Sequence, residues 1–327
     1  MIPVPAGLSP GRAFLHKAGT MTRFILRRLL TAIPTLFLIV TISFFLMRVA
    51  PGGPFNQEKG LNPAVIENLK RVYQLDQPLW SQYLHYLSNL LHGDLGPSYT
   101  RPDFTVTEMF ATALPISIQI GTMALLLALT IGSVLGIIAA LNQNRGLDYL
   151  VVATATAGST IPTFVIAPLY QLTFALSLSL VPVAGWGGGA LVNKIGPVLT
   201  LMLPQLAVVA RLMRGAMIEA LRAHHIRTCR AMGLSELSVV GRHALRSAVM
   251  PIISYAGPAA ASLLTGSVIV ETVFGIPGIG RYFVEAALAR DYTVVMGTVV
   301  VLAAFTILFN LIVDLLYAIV DPRVRHD

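Results

Sequence analysis

Six stretches of this chain are apolar over about the length that crosses a lipid bilayer, roughly 20 residues of helix. They are residues 29–47, 114–141, 150–183, 195–213, 249–270 and 294–320. The third is long enough for one span plus a bent end. Of the 327 residues, 55% are hydrophobic and 12% charged, against about 25% charged in a typical soluble domain. That composition excludes a disordered chain and argues against a water-soluble enzyme. The expected fold is an all-α integral membrane protein with six transmembrane helices. Pro34, Pro115, Pro162, Pro168 and Pro204 fall inside spans, where neighbouring helices can satisfy the freed carbonyls. Gly132 and Gly136 form a small-xxx-small pair, which lets two helix backbones approach closely.

The formal charge of +8 would fit a nucleic-acid binder, but its placement explains it otherwise. With the N-terminus inside, 15 of the 23 Lys and Arg residues fall on the cytoplasmic side and eight outside. This is the positive-inside bias. Six spans return the C-terminus to the cytoplasm, so both termini are expected there. The first apolar run exceeds a signal-peptide core of about 7–15 residues, which predicts an uncleaved span. Residues 1–20 hold three prolines and three glycines without apolar periodicity and are expected to be a dispensable extension ahead of Met21. The remaining expected units are a first transmembrane helix over 21–48, an outer loop or subdomain over 49–113, a core of five further transmembrane helices over 114–321 and a short cytoplasmic tail over 322–327.

The outer segment 49–113 is long enough for a small ordered subdomain, with an amphipathic helix expected over 63–75. Trp80, Tyr83, Tyr86 and Tyr99 suit the headgroup level; a membrane-surface cap and a docking surface fit equally. Residues 142–148 are expected to be a plain polar turn, and the glycine-rich segment around Trp186 a flexible one. The inner loop 214–247 differs. It is about 34 residues long and carries Arg222, His224, His225, Arg227, Arg230, Arg242, His243 and Arg246. A helix is expected over 217–232, a C-cap at Gly233, and a second helix over 236–245. A positive-inside loop needs only a short turn, so length and helical order favour docking to a cytoplasmic partner.

Other candidate sites have plain explanations. Residues 275–280 are rich in glycine but lack the Lys-Ser/Thr of a phosphate loop, and suit a tight external re-entrant turn. Asp314, with Asn310 and Tyr317 on the same helix face, suits a hydrogen-bonded cluster better than a proton relay. Glu271 either orients the external turn or faces a translocation path, the structural role being preferred. Asp321-Pro322 stops the last helix. One cysteine, Cys229, excludes an internal disulfide, adjacent His224 and His225 do not make a zinc site, and no nucleophile–base constellation supports an enzyme.

The run Ile226-Arg-Thr-Cys-Arg-Ala-Met-Gly-Leu234, followed by His243-Ala-Leu-Arg246 and Pro251, resembles the cytoplasmic signature loop of ABC-importer permeases, in the peptide-transport variant. Phe24-Ile-Leu-Arg-Arg28, Met47-Arg-Val-Ala-Pro-Gly52, Gly93-Asp-Leu-Gly96, the segment 271–280, Arg290-Asp-Tyr292 and the segment 314–323 agree. Together they resemble the first, B-type, inner-membrane permease of bacterial oligopeptide ABC importers, in the peptide/nickel subclass. Cys229, Met232 and Ser247 depart from the usual alanine, lysine and proline. The resemblance implies a homologous second permease subunit, two cytoplasmic ATPase subunits that bind ATP and Mg, and a periplasmic peptide-binding protein. It implies no nucleic acid, and no catalytic, cofactor or metal residue on this chain. The helix after Gly233 would couple to an ATPase subunit, through Arg227, Thr228, Gly233, Leu234, Ser235, Glu236, Leu237 and His243. Alternatives are a permease for dipeptides, nickel or glutathione, or a stand-alone secondary transporter, which would usually show inverted repeats and midplane charges.

Overall fold

The computed structural model describes residues 10–49, 67 and 71–320, with the side chains of 10–27, 29 and 314–320 outside that description. Among the described residues the chain is helical, with one isolated bridge, Pro97–Thr105. The helices are α1 Pro10–Val49, α2 Leu79–Leu91, α3 Val106–Leu141, α4 Gly146–Thr160, α5 Thr163–Tyr170, α6 Leu191–Arg222, α7 His224–Ala231, α8 Glu236–Ser238, α9 Leu245–Ala248, α10 Met250–Val273, α11 Ile279–Ala289 and α12 Tyr292–Val320. Five of them, α1, α3, α6, α10 and α12, are long and apolar enough to cross a membrane. A sixth span is broken: α4 and the α5 segment through Ser177 meet at 101°. Pro162 makes the break, because Ile161 before it is forced into an extended conformation (ψ 121°). The bend therefore falls early in the apolar stretch 150–183. α1 begins at Pro10, inside the segment 1–20.

The bundle has a basic end, which carries residues 214–247, and an opposite end, which carries residues 92–105. Close packing of α3 on α6 forms its centre. A Cβ on Gly132 would lie 2.9 Å from the Leu206 carbonyl, and one on Gly136 2.6 Å from that of Ala210. The two glycines thus bring the backbones together, as their spacing predicts. Ala124, Ala128, Leu201 and Leu263 continue the core toward the opposite end. Val209, Met213, Met217 and Ile226 continue it toward the basic end.

Two segments outside the long spans are closely packed. Tyr83 and Tyr86 pin α2 to the end of α1. The Tyr83 hydroxyl is 2.7 Å from Thr41 Oγ1, and both rings pack on Phe44. Burial pushes the Tyr86 hydroxyl up to about 12, so it stays neutral. Trp80 is 61% exposed. The glycine-rich segment around Trp186 is not loose either. The Gly185 N–H donates to the Phe274 carbonyl at 2.7 Å, Asn193 donates to the Gly185 carbonyl, and Lys194 Nζ lies 5.0 Å from the indole centre. The amphipathic helix expected over 63–75 falls mostly outside the described residues.

Candidate functional site: the basic-end knob

α6 runs unbroken from the membrane to Arg222 and then turns sharply at Ala223 (ψ 146°). The helix expected over 217–232 is therefore two helices, α6 and α7. Neither glycine nor proline marks this corner. Ile226 causes it, because it turns inward and is fully buried with Met217, Val239 and Ala244. Burying such a side chain is worth about 1.5–3 kcal/mol, enough to bend a helix whose polar face is solvated.

α7 ends at Gly233, which adopts φ +79°. The Leu234 N–H reaches the Cys229 carbonyl at 3.3 Å and the Gly233 N–H that of Arg230 at 3.0 Å, a helix end that favours glycine. The chain then re-enters α8. The expected helix over 236–245 is irregular: α8 widens into a π-helical segment, Val239–Ala244, and continues through α9 almost directly into α10. Such wide turns occur often at functional sites.

The two sides of the Gly233 turn are tied by a bidentate ion pair. Arg230 Nε donates to Glu236 Oε1 at 2.7 Å and Nη2 to Oε2 at 3.1 Å. The Arg230 guanidinium holds the Glu236 carboxyl below the usual carboxylate range. Apolar side chains project from this brace into open space: Met232 is 76% exposed, Leu234 40% and Leu237 89%. Arg227, Thr228 and Ser235 are exposed beside them, whereas His243 is half-buried on the π-helical segment. So seven of the eight candidate docking residues share one tip, and His243 stands apart from it. Arg230 and Met232 also belong to the tip. Their signal was present in the sequence, since Arg230 and Glu236 flank the glycine at a spacing of six.

The other candidate residues lie elsewhere. Glu271, at the end of α10, is fully buried at the opposite end of the bundle. Its Oε2 accepts from the Gly280 N–H at 2.8 Å, and Ile279 N–H donates to Ser117 Oγ at 3.0 Å. The carboxyl group thus sits on the first turn of α11, where it takes up one of the N–H groups a helix start leaves free. A Cβ on Gly278 would collide with it, which accounts for a glycine there. The Asp314 side chain lies outside the described residues. Sequence reasoning missed Asp291, which is fully buried before α12. Its Oδ2 accepts from Ser98 Oγ (2.6 Å), Tyr99 N (2.9 Å), Thr100 N (3.1 Å) and Thr100 Oγ1 (2.9 Å). Its Oδ1 accepts from Thr293 Oγ1 (2.8 Å) and Val294 N. No local pattern announces a contact across 190 residues.

Residues 132–326 match the family model of the binding-protein-dependent transport system inner membrane component, and residues 21–112 its N-terminal companion. The chain is 49% identical over 306 residues to the oligopeptide transport system permease protein OppB of Salmonella typhimurium, covering 94% of this chain and all of that one. It is 42% identical over 305 residues to the dipeptide transport system permease protein DppB of Bacillus subtilis, covering 93% and 98%. In fold it resembles a crystal structure of an amino acid ABC transporter with histidines, at TM-score 0.50 and 17% identity, over 65% of this chain and 94% of that one.

Proposed function

We propose that this chain, which belongs to the binding-protein-dependent transport system inner membrane component family, is a permease subunit of an ATP-driven ABC importer that carries oligopeptides across the bacterial inner membrane. The observation that carries this reading is the knob: a braced tip that exposes Met232, Leu234 and Leu237 to solvent. Large side chains left open on a rigid, charged element favour a partner surface. That partner is a cytoplasmic ATPase subunit, which supplies ATP, Mg and the hydrolytic site. The chain itself contributes no ATPase site. A second, homologous permease completes the pathway, a second ATPase subunit serves it, and an external binding protein delivers the peptide. Both termini face the cytoplasm. The tip residues Arg227, Thr228, Gly233, Leu234, Ser235, Glu236 and Leu237 form the seat, with His243 supporting it from the π-helical segment.

Mechanically, nucleotide-driven closure of the ATPases displaces the tip, and the spans shift between inward- and outward-open populations. Reconstitution of the subunits in proteoliposomes tests the reading. ATP-dependent uptake of labelled tri- to pentapeptides, lost on omission of either this chain or the ATPases, is the expected result. Uptake by this chain without ATP would contradict it. The 42% identity to a dipeptide permease supports a second substrate reading, so dipeptides belong in the same assay.

A further inference from the structure

The turn between α3 and α4 is not the plain polar connection that its sequence suggests. Asp148, in the first turn of α4, has its side chain 2% exposed. Arg214 of α6 grips it with both arms of the guanidinium: Nε to Oδ1 at 2.5 Å and Nη2 to Oδ2 at 2.7 Å. The Asn144 N–H, from a residue at φ +60°, donates to Oδ2 as well. Eight residues further along α6, about 12 Å at 1.5 Å per residue, Arg222 Nη2 donates to Gln143 Oε1 at 3.2 Å. Arg222 is the last residue of α6, directly before the Ala223 corner from which the knob hangs.

One short turn is therefore held at two heights by the helix that carries the knob. Gly132 and Gly136 fix α3 to that same helix. On its other side the knob continues into the π-helical segment and α9. We propose that Asp148 and Arg214 are positioning residues for energy coupling: their ion pair makes α3, α4 and the lower half of α6 one lever, which carries displacement of the knob to the broken span at Ile161-Pro162. The planar, bidentate geometry resists both sliding and rotation. This inference rests on the importer reading above.

The test uses the complete importer in proteoliposomes and reads ATP hydrolysed per peptide imported. Removing one member of a buried pair strands the other charge, so the principal variant is the neutral double substitution Asp148→Asn with Arg214→Gln. In assembled complexes it raises ATP consumed per peptide at least tenfold, while Asp148→Glu stays near the unsubstituted value. A ratio within twofold of unsubstituted, or uptake and hydrolysis falling in parallel, overturns the proposal. Should the double variant fail to assemble, Gln143→Cys with Arg222→Cys in a Cys229→Ser background decides. Bridging that pair with a short bis-maleimide, its formation checked by mass, leaves uptake intact if turn and α6 move together, and uptake arrested by the bridge overturns the lever. The unsubstituted complex, run alongside, must import peptide with ATP; its failure would condemn the importer reading and not the lever.

Discussion

The two ends of the bundle dispose of their polar and apolar groups in opposite ways. At the opposite end Asp291 and Glu271 are fully buried, and the chain itself supplies hydrogen bonds to Asp291 and to Oε2 of Glu271, whose buried Oε1 has no partner among the described residues. Asp291 alone gathers hydroxyls and N–H groups from residues 98–100 and from the start of α12, so it clasps the outer segment to the last span. At the Gly233 tip of the basic end the charges of Arg230 and Glu236 are tied to each other at the surface, and the apolar side chains face outward. The first arrangement draws its hydrogen bonds from the chain itself. The second leaves Met232, Leu234 and Leu237 in the open, where the proposed partner would seat.

Substitutions at the two ends should separate stability from function. The largest loss of stability is expected from Asp291→Ala. It strands several buried donors at once, and charged hydrogen bonds of this kind contribute about 1.5–3 kcal/mol each without being additive. A loss of about 3 kcal/mol, read as an earlier thermal transition in detergent, is the expected outcome. An unchanged transition would mean that the clasp does not form. Glu271→Ala removes the acceptor of the Gly280 N–H and opens a void beside Gly278, for an expected loss of about 2 kcal/mol in the same melt. Adding a methyl to Gly136 forces the α3 and α6 backbones apart, and overpacking of this kind costs about 1–3 kcal/mol. Gly215→Ala on the same helix pair meets open space and should melt with the unsubstituted protein.

At the basic end the expected stability effects are small and depend on pH. Arg230 lowers the Glu236 carboxyl from its ordinary 4.5. The bridge is therefore fully formed above that value and is lost as pH falls through the depressed one. Both side chains are largely exposed, so global melting should barely move. Hydrogen exchange at 232–237 is the measurement that sees it: protection should fall below pH 4.5, and Glu236→Gln should flatten that dependence.

Much of this layout was legible in the sequence. Apolar runs of bilayer length announce the spans, because lipid leaves few other structures available to the backbone. Gly132 and Gly136 announced a close crossing, Gly233 a helix end, and Pro162 suffices to explain the bend in the third apolar stretch. The corner at Ala223 was illegible, since it comes from burying Ile226 against residues far along the chain and no local breaker marks it. The same holds for the π-helical turn after Ser238. The Asp148–Arg214 pair spans 66 residues and the Asp291 clasp more than 190. A single sequence records residue types and spacings, and neither says which distant groups will meet. Tyr83 illustrates the point: its aromatic character is visible in the sequence, but its partners Thr41 and Phe44 lie about 40 residues away.

Leu237 is 89% exposed on a fold that has no structural use for its side chain, so it offers the most direct test that the tip is a seat for an ATPase subunit. The decisive measurement is co-purification of the ATPase subunits with tagged Leu237→Glu, taken with its thermal transition in detergent. The account predicts an unchanged transition and at least a tenfold drop in bound ATPase. Full retention of the ATPase subunits by a folded Leu237→Glu chain would contradict it.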